Sequence, residues 1–231
     1  MKTIAIVLAA GKGSRMKSDI PKQYMELKGH PILYYSLKVF EESFVNEIIL
    51  VAGEKDIAYC EKEIVKRYGF KKVKKIVAGG KERYQSVYEG IKVIENADYV
   101  YIHDGARPFL TEDILQRIQV EVEKSHACVA GVPVKDTIKI LNQERVVKET
   151  PDRSLLWQIQ TPQTFSYDLV KSAYEELEQK KDDTQKPTDD AMVVELIKHH
   201  PIKVVEGSYT NIKITTPEDL KIGTVILDAK K

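Results

Sequence analysis

Two glycines and two cations follow an apolar segment near the start of the chain, in the stretch VLAAGKGSRM. The glycines are Gly11 and Gly13, and the cations are Lys12 and Arg15. Backbone N–H groups of a glycine-rich loop bind anions, and an arginine guanidinium binds phosphate oxygens in a bidentate manner. A dinucleotide fingerprint would need a third glycine where Met16 stands, and the spacing of a Walker loop is absent. The stretch therefore predicts a phosphate-binding loop of another kind.

Two more polar loops that contain glycine follow apolar segments typical of β-strands. GGKERYQSV (Gly79–Val87) comes after KIVA, and HDGARP (His103–Pro108) comes after YVYI. An open parallel sheet binds ligands at the carboxyl ends of its strands, so parallel strands would bring all three loops to one edge. The charged side chains expected at this edge are Arg15, Lys22, Arg83, Asp104 and Arg107. Such an edge suits a polyanion with a bound divalent cation.

Asp104 is the member of this set for which we predict a metal ion. It ends an apolar segment and is followed by a glycine. Proteins hold Mg²⁺ through one or two carboxylates together with substrate phosphates. The alternative is an aspartate that only caps its loop. The neighbouring residues of phosphate-binding type favour the metal.

Other polar and aromatic residues have a structural explanation. The segment TPED at 216–219 has the features of a helix start, with a threonine cap, a proline and two acids in the first turn. The segment TDDA (Thr188–Ala191) has the same signature, so the role of its two acids stays open. We expect His103 to be buried at the end of a strand, and Trp157 to lie in the core or at an interface.

Composition and charge exclude several classes of protein. The 231 residues include 36 basic and 35 acidic ones, so the overall charge does not indicate nucleic acid or an anionic membrane as a partner. Cys60 and Cys128 fit no zinc spacing and are typical of a reduced, cytoplasmic protein. No apolar run approaches the roughly 18 residues of a transmembrane helix. The apolar part of the opening stretch is short for a secretory signal, and cations follow it directly.

Apolar runs rich in β-branched residues recur along the chain, and amphipathic segments separate the early ones. The runs that predict strands are TIAIVLA, EIILVAG, VKKIVAG, YVYIHD, ACVAGVPV, IKVVEG and NIKIT. The predicted helices cover residues 32–42, 56–68, 83–95 and 112–124. This alternation predicts an α/β fold with a mainly parallel sheet flanked by helices.

The segment TIKILNQERVVKE (Thr137–Glu149) interrupts the alternation. Polar and apolar residues alternate on both sides of Asn142 and Gln143, which predicts a β-hairpin with a short polar turn. An isolated hairpin is marginally stable in water. We therefore expect this hairpin to pack on something else, and a second subunit is the obvious candidate.

Taken in order, these motifs resemble those of the 2-C-methyl-D-erythritol 4-phosphate cytidylyltransferase family of the non-mevalonate isoprenoid pathway. The resemblance covers nearly the whole chain and rests on LAAGKGSRM, PKQY, GGKERYQSV, HDGARP, PVKDTIK, DRSLLWQIQTPQTF, TDDA and EGSYTNIKIT. Many nucleotidyltransferases share the opening loop, so the joint presence and order of the segments identify the family. A sister family, the ribitol-5-phosphate cytidylyltransferases, shares most of them. The pair Asp152-Arg153 and the segment TDDA favour the erythritol enzyme.

The resemblance implies a Rossmann-like nucleotidyltransferase fold over residues 1–231, with a protruding β-hairpin arm at 137–153 that builds a homodimer. It implies transfer of CMP from CTP to a polyol phosphate with Mg²⁺, and release of pyrophosphate. The implied residues are Arg15, Lys22, Arg153 and Lys213 for catalysis, Ala9, Ala10, Gly11, Gly13, Gly80 and Ser86 for the nucleotide, Thr137 and Arg107 for the second substrate, and Asp104 for the metal. Thr137 and Arg153 would serve the site of the neighbouring subunit.

The implied chemistry agrees with the residues present. The nucleophile is an oxygen of the substrate phosphate, which is already anionic near neutral pH, so no enzymic nucleophile or strong base is required. Transfer of this type depends mainly on positioning and electrostatic stabilisation. A function of another class is a non-catalytic nucleotide-binding or assembly module on the same fold. The joint presence of Arg15, Lys22, Arg153 and Lys213 argues against it.

Overall fold

The computed structural model describes residues 1–11, 13, 16, 20–180 and 186–229. Its strands are β1 (Thr3–Ala9), β2 (Glu26–Leu27), β3 (His30–Pro31), β4 (Glu47–Ala52), β5 (Val73–Ala78), β6 (Tyr99–Asp104), β7 (Ala127–Pro133), β8 (Ile140–Leu141), β9 (Val147–Glu149), β10 (Trp157–Ser166) and β11 (Lys203–Glu206). Its helices are α1 (Ile32–Glu42), α2 (Ile57–Tyr59, continued by a π-helical segment Cys60–Lys66), α3 (Arg83–Lys92), α4 (Glu112–Ser125), α5 (Tyr167–Lys180), α6 (Asp190–Lys198) and α7 (Pro217–Asp228).

A seven-stranded sheet in the order β11-β7-β10-β6-β1-β4-β5 forms the centre of the fold. Its pairs are parallel, except that β10 runs antiparallel to both β6 and β7. The prediction of an α/β fold with a mainly parallel sheet is confirmed. The four predicted helices are present as α1, α2 with its continuation, α3 and α4. Within the described ranges, no helix combines the length and the apolar character needed to span a membrane.

Alternation along β1 explains how the helices cover both faces of the sheet, because successive side chains of a strand point to opposite sides. Ala5 and Val7 pack in one cluster with side chains of α1 and α4, including Phe40. Ile4 and Ile6 pack in the opposite cluster with side chains of α3, α5 and α6. Burial of one large apolar side chain contributes about 1.5–3 kcal/mol. With both faces covered, the edge formed by the carboxyl ends of the strands remains for a ligand.

Side-chain caps set the start of three helices. Glu82 and Gln85 form a capping box at α3, and Thr216 and Asp219 form another at α7. The predicted helix start at TPED is therefore confirmed. The segment TDDA also starts a helix, since Asp189 caps α6 by accepting the N–H of its third following residue.

Two expectations for the carboxyl half were wrong or incomplete. NIKIT (Asn211–Thr215) is not a strand, and its backbone joins the β6 turn through the N–H of Ile214, which donates to the carbonyl of Ala106 at 2.8 Å. The ten-residue strand β10 was not predicted. Its sequence WQIQTPQTFS contains three glutamines and a proline. Proline in particular is unusual in a central strand, because it donates no ladder hydrogen bond.

The predicted hairpin is present as β8 and β9. Asn142 closes its turn, since Oδ1 accepts the N–H groups of Glu144 at 3.1 Å and Val146 at 2.9 Å. Every residue from 137 to 150 is exposed in the single chain. Trp157, just beyond the hairpin, is 40% exposed, so it does not lie in the core of this chain, and a place at an interface stays a prediction. The protruding arm is confirmed, whereas its role in a dimer stays a prediction.

Candidate active site

The carboxyl ends of β1, β4, β5 and β6 open into a cleft of about 910 Å³. These four strands are parallel neighbours, so the loops that follow them meet at one edge. The described lining residues are Leu8, Ala9, Ala10, Gly11, Lys22, Gln23, Gly53, Glu54, Gly79, Gly80, Lys81, Glu82, Arg83, Ser86, Asp104, Ala106 and Lys213. The predicted shared edge is therefore present. The loop after β4 adds Gly53 and Glu54 to it.

A glycine allows the loops after β1 and β5 to approach each other. A Cβ on Gly79 would collide with the Cβ of Ala10, so a larger residue would push the two loops apart. The N–H of Gly80 donates to Ser86 Oγ at 3.1 Å, and Ser86 Oγ donates to the carbonyl of Glu82 at 3.1 Å. These bonds hold the glycine loop against the first turn of α3 at the wall of the cleft.

Lys22 is placed in the cleft by a short 3₁₀ turn, Lys22–Tyr24. The next residue, Gln23, is buried and donates through Nε2 to the carbonyl of Ala9 at 2.6 Å, which ties the turn to the end of β1. Gly13 has a φ of 63°, in the left-handed region, and a Cβ there would lie 3.2 Å from atoms of Lys22. Gly13 and Lys22 thus pack closely together.

Asp104 lies in the cleft wall among three cations. Arg83 Nε donates to its Oδ1 at 3.1 Å, and Lys213 Nζ lies 2.8 Å from its Oδ2. Arg107 Nε is 3.8 Å from the same Oδ2. Burial alone would raise the pKa of the Asp104 carboxyl, but the three positive charges outweigh burial and hold this pKa well below its ordinary value. Asp104 is therefore a carboxylate at physiological pH.

A chain of hydrogen bonds through His103 fixes the turn that carries Asp104. Thr161 Oγ1 accepts the N–H of Asp104 at 3.1 Å and lies 3.0 Å from His103 Nδ1, while His103 Nε2 is 3.1 Å from the carbonyl oxygen of Arg107. Because a carbonyl only accepts, Nε2 carries the proton and the threonine hydroxyl donates to Nδ1. Burial lowers the pKa of His103 to about 4, so the ring is neutral. The expectation of a buried histidine is confirmed.

Asn211 connects the turn after β6 to the loop that carries Lys213. Arg107 Nη1 donates to the carbonyl of Asn211 at 2.9 Å. The amide of the fully buried Asn211 donates to the carbonyl of Thr161 at 3.0 Å. These contacts place Lys213 beside Asp104 even though the two residues lie far apart in the sequence.

The donors at Asp104 fit a hard divalent cation that is bound together with phosphates. In the described part of the chain, no three side chains of His, Cys, Asp or Glu are grouped as a metal site. A cation at Asp104 would therefore take most of its ligands from a substrate and from water. One or two carboxylates with substrate phosphates is the arrangement typical of Mg²⁺.

The sequence matches the model of the family 2-C-methyl-D-erythritol 4-phosphate cytidylyltransferase over residues 3–229. A protein of this name from Lachnoclostridium phytofermentans is 50% identical over 226 residues, which cover 98% of this chain and 96% of the relative. Another from Lachnospira eligens is 53% identical over 225 residues, covering 96% and 98%. The crystal structure of a 4-diphosphocytidyl-2C-methyl-D-erythritol synthase from Anaerococcus prevotii superposes with a TM-score of 0.85 at 32% identity, covering 98% of this chain and 96% of that one.

The chain belongs to the 2-C-methyl-D-erythritol 4-phosphate cytidylyltransferase family. The resemblance found in the sequence is thereby confirmed, and so is the nucleotidyltransferase fold. The protein is an enzyme, a nucleotidyltransferase of isoprenoid biosynthesis.

Most site residues predicted for this cytidylyltransferase lie in the cleft. Those that line it are Ala9, Ala10, Gly11, Lys22, Gly80, Ser86, Asp104 and Lys213. Gly13 packs against Lys22, as described above, and Arg15 lies outside the described residues. Arg107 does not line the described cleft but contacts Asp104 from the protein side. The roles of these residues stay predictions.

Thr137 and Arg153 are the predicted site residues that the cleft of this chain does not contain. Neither is among its described lining residues. Both lie on the arm and are exposed, and Arg153 Nη1 donates to the carbonyl of Lys135 at 2.8 Å. In this structure the two residues therefore lie outside the cleft of their own chain, and their roles stay predictions.

The sequence did not reveal the residues that support the site from behind. Gln23, Thr161 and Asn211 are buried and bond mainly to backbone groups or to a histidine, so no spacing marks them. Asp190 is one of the two acids in TDDA whose role the sequence does not decide. It forms an ion pair with Arg83, at 2.8 Å between Nη2 and Oδ2. Its sequence signals were the helix-start signature and the place of TDDA among the segments that resemble the family, and neither indicated an ion pair with Arg83.

Proposed function

We propose that this chain transfers CMP from CTP to 2-C-methyl-D-erythritol 4-phosphate, giving 4-diphosphocytidyl-2-C-methyl-D-erythritol and pyrophosphate. The observation that carries the proposal is the cleft, in which the glycine loops of β1 and β5 meet Lys22, Lys213 and Asp104. A polyanionic nucleotide suits this combination of backbone donors and cations. Family membership supports the choice of both substrates.

The reaction needs electrostatic help rather than a base. An oxygen of the substrate phosphate attacks the α-phosphorus of CTP in line, a new P–O bond forms, and the bond to the bridging oxygen of pyrophosphate breaks. The attacking oxygen is already anionic. Lys22 from the first loop and Lys213 beside Asp104 supply positive charge where negative charge develops, which is the main source of rate enhancement in such transfers. The resemblance to the family implies that Arg15 adds to this positive charge.

Asp104 is the residue that would hold Mg²⁺. Its carboxylate stays ionised among Arg83, Lys213 and Arg107, and it lies in the wall of the cleft where a triphosphate would be bound. When bound, the cation neutralises phosphate charge and orients the leaving group. Lys213 is 34% exposed at its side chain, and it would turn from Asp104 toward a phosphate when a cation takes its place.

The arm is proposed to build a homodimer in which Thr137 and Arg153 reach the partner's cleft. Exposed apolar side chains on and beside the hairpin support an interface, among them Leu141 at 48% and Val147 at 53%. An arginine on such an arm suits a substrate phosphate, because its guanidinium binds oxyanions in a bidentate manner. Cys60 and Cys128 are free and buried, which supports a reducing, cytoplasmic environment.

A side-by-side assay tests the function. The purified protein is incubated with CTP, Mg²⁺ and either 2-C-methyl-D-erythritol 4-phosphate or ribitol 5-phosphate, and pyrophosphate is measured. We expect release with the first acceptor and little with the second. A preference for ribitol 5-phosphate would make the sister activity the correct one. Nucleotide binding without pyrophosphate from either acceptor would indicate a non-catalytic module.

A further inference from the structure

A buried carboxylate behind the cleft forms a bidentate ion pair that the proposed reaction does not explain. Asp190, the first residue of α6, is fully buried. Arg83 donates to it twice, from Nη1 to Oδ1 at 2.9 Å and from Nη2 to Oδ2 at 2.8 Å. The hydroxyl of Tyr174 donates to Oδ1 at 2.6 Å. Gln163 Oε1 accepts the backbone N–H of Asp190 at 2.9 Å, so both backbone and side chain are held in place.

Arg83 links this carboxylate to the cleft. While both Nη groups contact Asp190, Nε donates to Asp104 Oδ1 at 3.1 Å. The guanidinium presents its donors in a rigid planar arrangement. With the two Nη groups engaged, the Nε edge makes the contact with Asp104. The second oxygen of that carboxylate, Oδ2, contacts Lys213 at 2.8 Å.

Stability alone does not require such a pair. Removing two charges from water costs about as much as their attraction returns, and buried pairs have been replaced by apolar residues without loss of stability. The position of this pair changes what Asp104 can bind. An arginine with free Nη groups forms a bidentate pair with a carboxylate. A pair of that kind at Asp104 would occupy both of its oxygens.

We propose that Asp190 is a positioning residue that holds the Nη groups of Arg83 away from Asp104. Oδ2 of Asp104, which contacts Lys213 here, is then not also bound by Arg83 and can pass from Lys213 to the divalent cation accompanying the nucleoside triphosphate. This inference rests on the proposed function, because it concerns the cation of that reaction. Asp190 lies behind the cleft wall and acts through Arg83 rather than on a substrate.

Binding of Mn²⁺ to the complex of the protein with CTP, measured by electron paramagnetic resonance without the second substrate, tests the inference. Asp190→Asn keeps the shape of the side chain, removes its charge and releases Arg83. We expect the dissociation constant of Mn²⁺ to rise about tenfold, the lower end of the effect of losing a residue that orients a metal ligand. Adding Arg83→Gln removes the competing guanidinium, so the double variant should return to within about threefold of wild type.

Tyr174→Phe is the matched control. It removes a buried hydrogen bond to the same carboxylate but leaves the charge of Asp190 and its contacts with Arg83. The melting temperature should fall in Tyr174→Phe as in Asp190→Asn, whereas Mn²⁺ affinity should fall only in Asp190→Asn. The inference is overturned if Asp190→Asn binds Mn²⁺ like wild type, if Tyr174→Phe weakens Mn²⁺ binding equally, or if Arg83→Gln does not suppress the defect.

Two further results keep the test decisive. If Asp190→Asn does not fold, Arg83→Gln alone should bind Mn²⁺ at least as tightly as wild type, and weaker binding overturns the inference. Wild type that binds no Mn²⁺ in the presence of CTP overturns it as well. The proposed function fails on a different observation, namely that wild type releases no pyrophosphate from CTP and 2-C-methyl-D-erythritol 4-phosphate.

Discussion

The charge cluster around Asp104 and the arm at residues 137–153 differ in where their contacts lie. In the cluster, Asp104 is 10% exposed at its side chain and contacts Arg83 and Lys213 within the same chain. In the arm, the backbone forms a hairpin, but its apolar side chains are open to solvent, as Leu141 at 48% illustrates. The cluster is complete within one chain, whereas the arm presents an uncovered apolar surface.

The charge cluster and the arm therefore depend on different things for their stability. The buried cluster depends on folding of one chain, because its charges are balanced against each other in a site of low dielectric constant. The hairpin offers too little apolar surface of its own to be stable alone, so it depends on a surface that covers it. Changes in the cluster should therefore alter each subunit by itself. Changes in the arm should act through contact between subunits.

The largest effect is expected from removing the cation or its carboxylate. Exhaustive chelation, or Asp104→Ala, should lower pyrophosphate release by more than about a hundredfold, because the triphosphate then loses the charge that neutralises it. Asp104→Ala also leaves Lys213 and Arg107 without their carboxylate, whereas Arg83 keeps Asp190, so the free energy of unfolding should fall by about 3–5 kcal/mol. Readdition of Mg²⁺ should restore the chelated enzyme but not the variant. Full activity after chelation would contradict the role assigned to Asp104.

The second-largest loss of activity is expected from removing a single cation at the first loop. Lys22→Ala and Arg15→Ala should each lower kcat by about a hundredfold or more, as expected for donors that act on the transition state. Steady-state kinetics and thermal unfolding of the same preparations check this. Lys62→Ala is a suitable control, because Lys62 is 82% exposed on α2 and its continuation, away from the cleft. Near wild-type turnover by a folded Lys22→Ala protein would refute the assignment.

The same comparison explains what could be predicted from the sequence. Periodicity predicted β1, β4, β5 and β6, and a rule for parallel sheets then placed the loops after β1, β5 and β6 together, so most of the front of the cleft could be predicted. The residues behind the cleft could not be predicted. Thr161 and Gln163 lie on the unpredicted antiparallel strand β10, and their hydrogen bonds to His103 and Asp190 depend on pairings that no local pattern encodes.

The arm could be predicted from the sequence for the opposite reason. Its hairpin is a local structure, and alternation around Asn142 and Gln143 was sufficient to predict it. The surface that covers the hairpin could not be predicted, since an interface depends on a second surface. Leu155 is 78% exposed and Trp157 is 40% exposed, so neither of these apolar side chains is buried within one chain.

A subunit-mixing experiment tests the arm and should produce a smaller, partial effect. Lys22→Ala and Arg153→Ala proteins are each expected to be weakly active. Lys22→Ala damages the cleft of its own chain, whereas Arg153→Ala damages the cleft of its partner. In a mixed dimer both changes fall in one cleft and the other is intact. With free exchange, about a quarter of all sites should be restored, since half of the dimers are mixed and each has one intact site.

Heterodimer formation must be measured in the same samples, for example with differently tagged subunits. A mixture of two Arg153→Ala preparations controls for effects of mixing itself, and no activity should return there. If heterodimers form and activity stays at the level of the parents, the sites are not shared. In that case Arg153 would act, if at all, within its own chain.

The smallest effect is expected within the cluster, at a residue that supports Asp104 without carrying charge. Thr161→Val keeps the shape of the side chain but leaves the N–H of Asp104 and Nδ1 of His103 without their partner. An unsatisfied buried polar group costs about 1–3 kcal/mol, so the free energy of unfolding should fall by that amount in urea denaturation. Since the cations stay in place, kcat should fall by less than about tenfold.

Thr164→Val on the same strand is the matched control, because Thr164 Oγ1 is buried with no hydrogen-bond partner among the described residues. Removing that hydroxyl should leave stability unchanged or raise it. Equal losses from the two substitutions would mean that tight packing around β10, rather than the hydrogen bonds of Thr161, holds the turn at Asp104.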